Sequence, residues 1–176
     1  MKEKLLKLMP EFGEVEDADL REKTTAVWLE AMREAGWTFD DLAKMPFTLL
    51  IADTPVNLVE HTLAVTRCAL KIADELVRAY RGRVAVNRDV LLSGALLHDV
   101  GKMFEYAKKG ERFVKSASGE LLRHPVSGAA FAYKHGLPEE VVHVIAAHSK
   151  EGDGLRRTAE AVIVNHADFV NFDVLK

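Results

Sequence analysis

The residues best suited to chemistry are histidines and acids spaced along helical patterns. His98 and Asp99 stand side by side at the end of the most apolar stretch of the chain, which runs from Val90 to Leu97. Two adjacent ionisable side chains at the end of a buried helix are costly unless something binds them. A divalent cation satisfies both. Imidazole nitrogen together with carboxylate oxygen suits Mn, Fe, Co, Ni or Zn. Val100, Gly101 and Lys102 follow. Gly101 is expected to let the backbone turn away from the helix, and Lys102 to place a cation one helical turn from the pair.

The run Leu96-Leu97-His98-Asp99-Val100-Gly101-Lys102 resembles the central motif of HD-superfamily phosphohydrolases. That family's pattern is an early His, a His-Asp doublet and a late Asp, in that order. The early His is matched by His61, in Leu58-Val59-Glu60-His61-Thr62-Leu63, and the late Asp by Asp168, in Val164-Asn165-His166-Ala167-Asp168-Phe169. The resemblance spans about residues 54–172. It implies an all-α, HD-domain helical bundle that hydrolyses a phosphoester with a metal-activated water, with one metal on His61, His98, Asp99 and Asp168.

Two further histidines sit in contexts similar to those of the family's two-metal members. His124 lies in Arg123-His124-Pro125-Val126-Ser127-Gly128-Ala129, and His148 in Ile145-Ala146-Ala147-His148. They imply a second metal, two per chain, with Asp99 bridging. Ser149 departs from the pattern, since many two-metal members carry a second His there. Asp99 and Lys102 are the implied catalytic residues. A metal lowers the pKa of its water toward ~7, and Lys102 reaches a phosphate oxygen as a point charge. The implied partner is a small phosphate mono- or diester, nucleotide-like or otherwise.

Three competing readings are available. A one-metal nucleotide monophosphatase would use a Glu-His pair like Glu60-His61 but would lack equivalents of His124 and His148. A non-catalytic, nucleotide-binding signalling module would be expected to have lost ligands, and none of the core four is missing. A purely structural helical protein would have to match all these positions by chance.

The remaining histidines read as structural or solvated. His135 precedes Gly136 at a helix end, where an imidazole favours terminal carbonyls. His143 lies five residues from His148 and should face another side of its helix. His166 is turned about 200° away from Asp168 on a helical wheel. Eight basic residues could extend an anion site, of which one or two are expected to do so: Lys108, Lys109, Arg112, Lys115, Arg123, Lys150, Arg156 and Arg157.

The elements that position these residues are helical. Asp17 to Ala35 reads as a helix stopped by Gly36, and Phe39 to Met45 as a short turn. Thr54-Pro55 has the form of a helix start, an N-cap hydroxyl followed by Pro. Apolar residues at spacings of three and four then run to about Tyr80. Asn87 to Asp99 is apolar on all sides, the mark of a central helix. Phe104 to Arg123 contains turn signals at Lys109-Gly110 and Ser118-Gly119 and fits either a small hairpin or an irregular loop. Helical patterns resume at Pro125–His135, Pro138–Ala147 and Thr158–Phe172. The expected organisation is a helical N-terminal extension, 1–53, packed on an HD phosphohydrolase domain, 54–176.

The chain has 176 residues, 48% of them apolar, enough for one core of ordinary size. The single cysteine, Cys68, excludes an internal disulfide and is expected to be a packed, inert thiol. No apolar stretch approaches the ~20 residues of a membrane span, and the Lys/Leu pattern of Met1 to Met9 lacks the form of a signal peptide. A cytoplasmic protein is the expectation. The net charge of −3 argues against an extended nucleic-acid-binding surface. Residues 1–53 carry seven Lys/Arg against twelve Asp/Glu, and residues 54–176 carry seventeen against fifteen. The basic excess therefore lies with the site, which favours an anionic ligand. Trp28 and Trp37 in the extension fit core, interface or pocket lid.

Overall fold

The computed structural model describes residues 1–176. The chain is almost entirely helical. Its helices are α1 (Lys2–Leu8), α2 (Ala18–Ala35), α3 (Phe39–Leu42), α4 (Leu58–Ala79), α5 (Arg88–Leu97), α6 (Lys102–Glu105), α7 (Ala117–Leu121), α8 (His124–Lys134), α9 (Glu139–Ala147) and α10 (Ala159–Asp173). Between α6 and α7 lies an antiparallel hairpin, β1 (Tyr106–Lys109) and β2 (Arg112–Lys115), with Tyr106 opposite Lys115. No helix is long and apolar enough to cross a membrane.

Helix α5 is the centre. Every residue from Val90 to Leu97 is buried, and the helix packs against α2, α4, α9 and α10. Each of its leucines contributes about 1.5–3 kcal/mol by leaving water. Asn87 caps the helix by accepting from the Val90 amide at 3.2 Å. The N-terminal segment shares this core: Leu5, Met9, Phe12, Val27 and Trp28 belong to the same cluster as Leu91, Leu96 and Val144. Trp28 is fully buried with its ring edge-on to Phe12, so it is a core residue. Trp37 donates from Nε1 to the Met103 carbonyl at 2.7 Å and packs against Phe113.

One local expectation needs correction. Helix α4 starts at Leu58 rather than Pro55. Residues 45–47 pair with 56–58 through Phe47 N–H to Val56 O and Leu58 N–H to Met45 O, and this extended pairing excludes a helix there. The helix start lies one step later, at a capping box in which Asn57 accepts from the Glu60 amide and Glu60 accepts from the Asn57 amide. Of the two alternatives for the segment after α6, the hairpin is the one found, and α7 follows it. The chain does turn away between α5 and α6, but Gly101 keeps an ordinary φ of −63°. Its role is close approach: a Cβ there would lie 2.0 Å from the His124 carbonyl oxygen.

Candidate metal centre

Six side chains carried by five helices converge. His61 comes from the first turn of α4. His98 and Asp99 follow the last turn of α5, His124 opens α8, His148 follows α9, and Asp168 lies on α10. All are buried except Asp168, which keeps a small exposed edge. Asp99 is the hub, and its two oxygens face different ways. Oδ2 lies 3.6 Å from His61 Nε2 and 3.4 Å from His98 Nε2. Oδ1 lies 3.2 Å from His124 Nε2 and 3.8 Å from His148 Nε2. Asp168 Oδ1 joins the first set, 2.9 Å from His61 Nε2 and 3.9 Å from His98 Nε2.

The hydrogen bonds fix which ring nitrogens face inward. A carbonyl only accepts, so the contacts of His98 Nδ1 with Ala95 O and of His148 Nδ1 with Ile145 O, both 2.7 Å, put the proton on Nδ1. Nε2 of each ring then carries a lone pair. Both Nε2 atoms are buried without a hydrogen-bond partner. A buried, unpaired acceptor is costly, and two aimed at one shared carboxylate suit a bound cation. Two groups could each hold an ion: His61, His98 and Asp99, and Asp99, His124 and His148. The donor set therefore fits divalent metal.

The electrostatics agree. Burial alone would raise Asp99, but the Lys102 ammonium and His98 outweigh it and hold the carboxyl well below the usual range. Asp168 is likewise opposed by burial, yet its bond to His61 and the nearby His98 bring it down to about 2. Burial, with His98 and His124 close by, pushes His148 down to about 3, so its ring is neutral at physiological pH. Burial also lowers His61, against the pull of Asp168. At His98 burial disfavours the charge, but Asp99 prevails and the pKa rises.

The sequence-predicted residues meet in one place. Lys102 joins them, with Nζ bonded to Asp99 Oδ2 at 2.6 Å and to the Phe47 carbonyl. The histidines read as structural stay outside. His143 Nε2 accepts from the Thr158 amide at 3.2 Å, His135 packs on Phe131, and His166 is exposed. Glu60 serves the capping box of α4. A cavity of about 420 Å³ opens onto the cluster. Of the eight basic candidates, Lys115, Arg123 and Lys150 line it. Arg157 instead ties down the end of α9 through the carbonyls of Ala147 and Ser149, and Lys108 pairs with Asp41.

Several residues around the site escape a sequence reading. Phe47 stacks on His61 with ring centroids 4.4 Å apart. Asn165 Nδ2 donates to the His148 carbonyl at 2.7 Å. Tyr106 lines the cavity, and burial raises its hydroxyl to about 12, so the phenol stays a donor. Glu105 is buried and bonds His124 through Nδ1 and the backbone amide. Its signal was an isolated acid between Phe104 and Tyr106, six residues beyond Asp99.

Comparison with known proteins places this arrangement. Residues 58–171 match the HD domain family model. The chain is 32% identical to dihydroneopterin 2',3'-cyclic phosphate phosphodiesterase of Methanocaldococcus jannaschii, over 94% of this chain and 67% of that protein. It is 30% identical to ribonuclease Y of Acidothermus cellulolyticus and 33% identical to that of Rubrobacter xylanophilus, over 65% of this chain in both cases. It spans less than a fifth of either ribonuclease. No solved structure matches it. The geometry and these matches together make the chain a member of the HD-domain family of metal-dependent phosphohydrolases.

Proposed function

We propose that the chain hydrolyses a small cyclic phosphodiester at a pair of divalent cations. His61, His98, Asp99 and Asp168 would hold one ion, and Asp99, His124 and His148 the other. The carrying observation is the division of the Asp99 carboxylate, one oxygen toward each set of imidazoles. The imidazole-rich donor set suits Mn, Fe, Co, Ni or Zn. When bound, such ions supply Lewis acidity, making water nucleophilic near neutral pH and neutralising phosphoryl charge.

The protein's own groups do the rest. Asp99 stays ionised and shared. Lys102 has three N–H bonds, two of them taken by Asp99 and Phe47, which leaves one for a phosphate oxygen. Arg123 and Lys150 put positive charge on the cavity wall, and Tyr106 a neutral phenol. Phe47, Leu49, Leu50, Phe169 and Phe172 make the other side apolar. A flat ring carrying a cyclic phosphate fits such a two-sided cavity, and the M. jannaschii relative acts on a substrate of this class by name. In the reaction a water oxygen bonds to phosphorus, one ring P–O bond breaks, and the released oxygen takes a proton. We read residues 1–53 as an extension that supplies the Phe47–Leu50 wall, and 54–176 as the hydrolase domain, acting in the cytoplasm.

The test is metal content after aerobic and anaerobic purification, with assays on 2',3'-cyclic phosphates, 3',5'-cyclic phosphates, monophosphates and a short RNA, each with Mn, Co, Ni, Fe or Zn. Two ions per chain and turnover of a cyclic phosphate to a monoester are expected. One ion per chain, with undiminished activity in His124→Ala, would replace this reading by a mononuclear monophosphatase. Tight nucleotide binding without hydrolysis of any substrate would leave a signalling module.

A further inference from the structure

Helix α8 begins with a difficulty. Its N-cap is Arg123, whose side chain makes no capping hydrogen bond, so the first amides need a partner from elsewhere. The first residue of the helix is also His124, whose ring must point at Asp99. Both needs are met by one side chain from another element. Glu105 Oε2 accepts from the His124 backbone amide at 2.7 Å and from His124 Nδ1 at 2.8 Å. Its other oxygen, Oε1, accepts from Arg123 at 2.8 Å, and Arg123 also bonds Glu151 at 3.1 Å.

We propose that Glu105 is a positioning residue: it caps α8 from outside and holds His124 as the Nδ1–H tautomer, with Nε2 delivered to the second cation. The inference rests on the two-cation reading above. A carboxylate accepts only, and the contact of hydrogen-bond geometry is the one at Nδ1; in the neutral ring that places the proton on Nδ1 and the lone pair on Nε2, which faces Asp99 Oδ1 at 3.2 Å. His98 and His148 achieve the same orientation with carbonyls of their own helices, three residues back. His124 sits in the first turn of its helix and has no such carbonyl behind it. An external carboxylate substitutes. The chain between α6 and α8 packs on the backbone that carries that carboxylate. Ser116 N–H donates to the Glu105 carbonyl at 2.8 Å, Ser116 Oγ bonds the Phe104 carbonyl, and a Cβ on Gly119 would lie 2.3 Å from Glu105 O.

The test compares wild type, Glu105→Ala and Glu105→Gln, using Mn2+ or Co2+ alone as probe in equilibrium titrations. The histidine ring 15N shifts of the metal-free proteins are measured beside them. In Glu105→Ala the second ion should bind on the order of 10–100-fold more weakly, the range seen when an outer partner of a metal ligand is lost, with the first ion unchanged. The His124 ring should become a tautomer mixture. Glu105→Gln, which keeps one acceptor oxygen, should fall between. The ring shifts need no metal and distinguish positioning from a general loss of structure, which would move all the histidines together. Two ions bound at wild-type affinity, or an unchanged His124 tautomer, in Glu105→Ala would overturn the role of Glu105 while leaving the two-cation reading intact. A wild-type protein that takes one ion would overturn both.

Discussion

The two sets of side chains that flank Asp99 are prepared differently. In the half facing α8 and α9, both imidazoles have their outer nitrogen tied, His148 to a carbonyl and His124 to Glu105. In the half facing α4 and α10, only His98 is tied in this way. His61 leaves Nδ1 without a hydrogen-bond partner, is stacked on Phe47, and bonds Asp168 through Nε2. Lys102 also sits on this side, on Asp99 Oδ2. One half holds its ligands open, and the other satisfies them with each other. Preorganisation at a metal site is set by what lies behind the ligands, and here it differs across a single carboxylate.

The most damaging way to break this comparison is to remove what the halves share. Asp99→Asn should empty both halves and lower kcat by on the order of 10³-fold or more, the effect of losing metal-based catalysis altogether. It also leaves the buried Lys102 ammonium without its anion, a loss of about 3–5 kcal/mol, measurable by denaturant unfolding in chelator. Next in size are the single-half variants. His124→Ala should cost one ion and spare the other, and His61→Ala the reverse. Each should lower activity by about 10²-fold, as for loss of a major electrostatic stabiliser. Metal analysis of the two proteins side by side would contradict the division of ligands if both lost the same ion.

The smallest effect is in pH dependence without metal. His148 is held near 3, below its unfolded value of about 6.5. Its neutral form is favoured by the fold, so the stability it contributes is complete above about 6.5. That stability is lost as pH falls toward about 3. His98 has the opposite sign: its raised pKa contributes stability below the unfolded value that is lost as pH rises through the folded one. His148→Phe should therefore flatten the melting profile on the acid side. A wild-type slope that survives the substitution would assign it to another group.

Much of the centre is legible in the sequence because its ligands ride on helices with strong apolar periodicity. His98-Asp99 ends a run with no polar face, and such a run has one place in an all-α fold. Apolar periodicity places His61 and Asp168 on helices, and the resemblance to the HD family picks them out among the other histidines and acids. What binds the rest is long-range. Phe47 reaches His61 and Lys102 through a loop pairing of 45–47 with 56–58, which no helical or strand periodicity encodes. Glu105 meets His124 nineteen residues away, across a hairpin and a short helix whose pattern fits more than one structure. The start of α4 was readable in Asn57 and Glu60, but Thr54-Pro55 carries the same kind of signal three residues earlier. Backbone pairing decided between them, and that depends on partners distant in the chain.

Gly101 gives the comparison a mechanical form. Its α-carbon faces the His124 carbonyl so closely that one methyl group would overlap it. The turn carrying Asp99 and the start of α8 therefore meet main chain to main chain, like the two leaves of a hinge with no washer. The gap between the two sets of side chains is gauged by that bare contact, and a side chain at 101 would act as a shim. It would force the second half away from the first while leaving every ligand in the sequence.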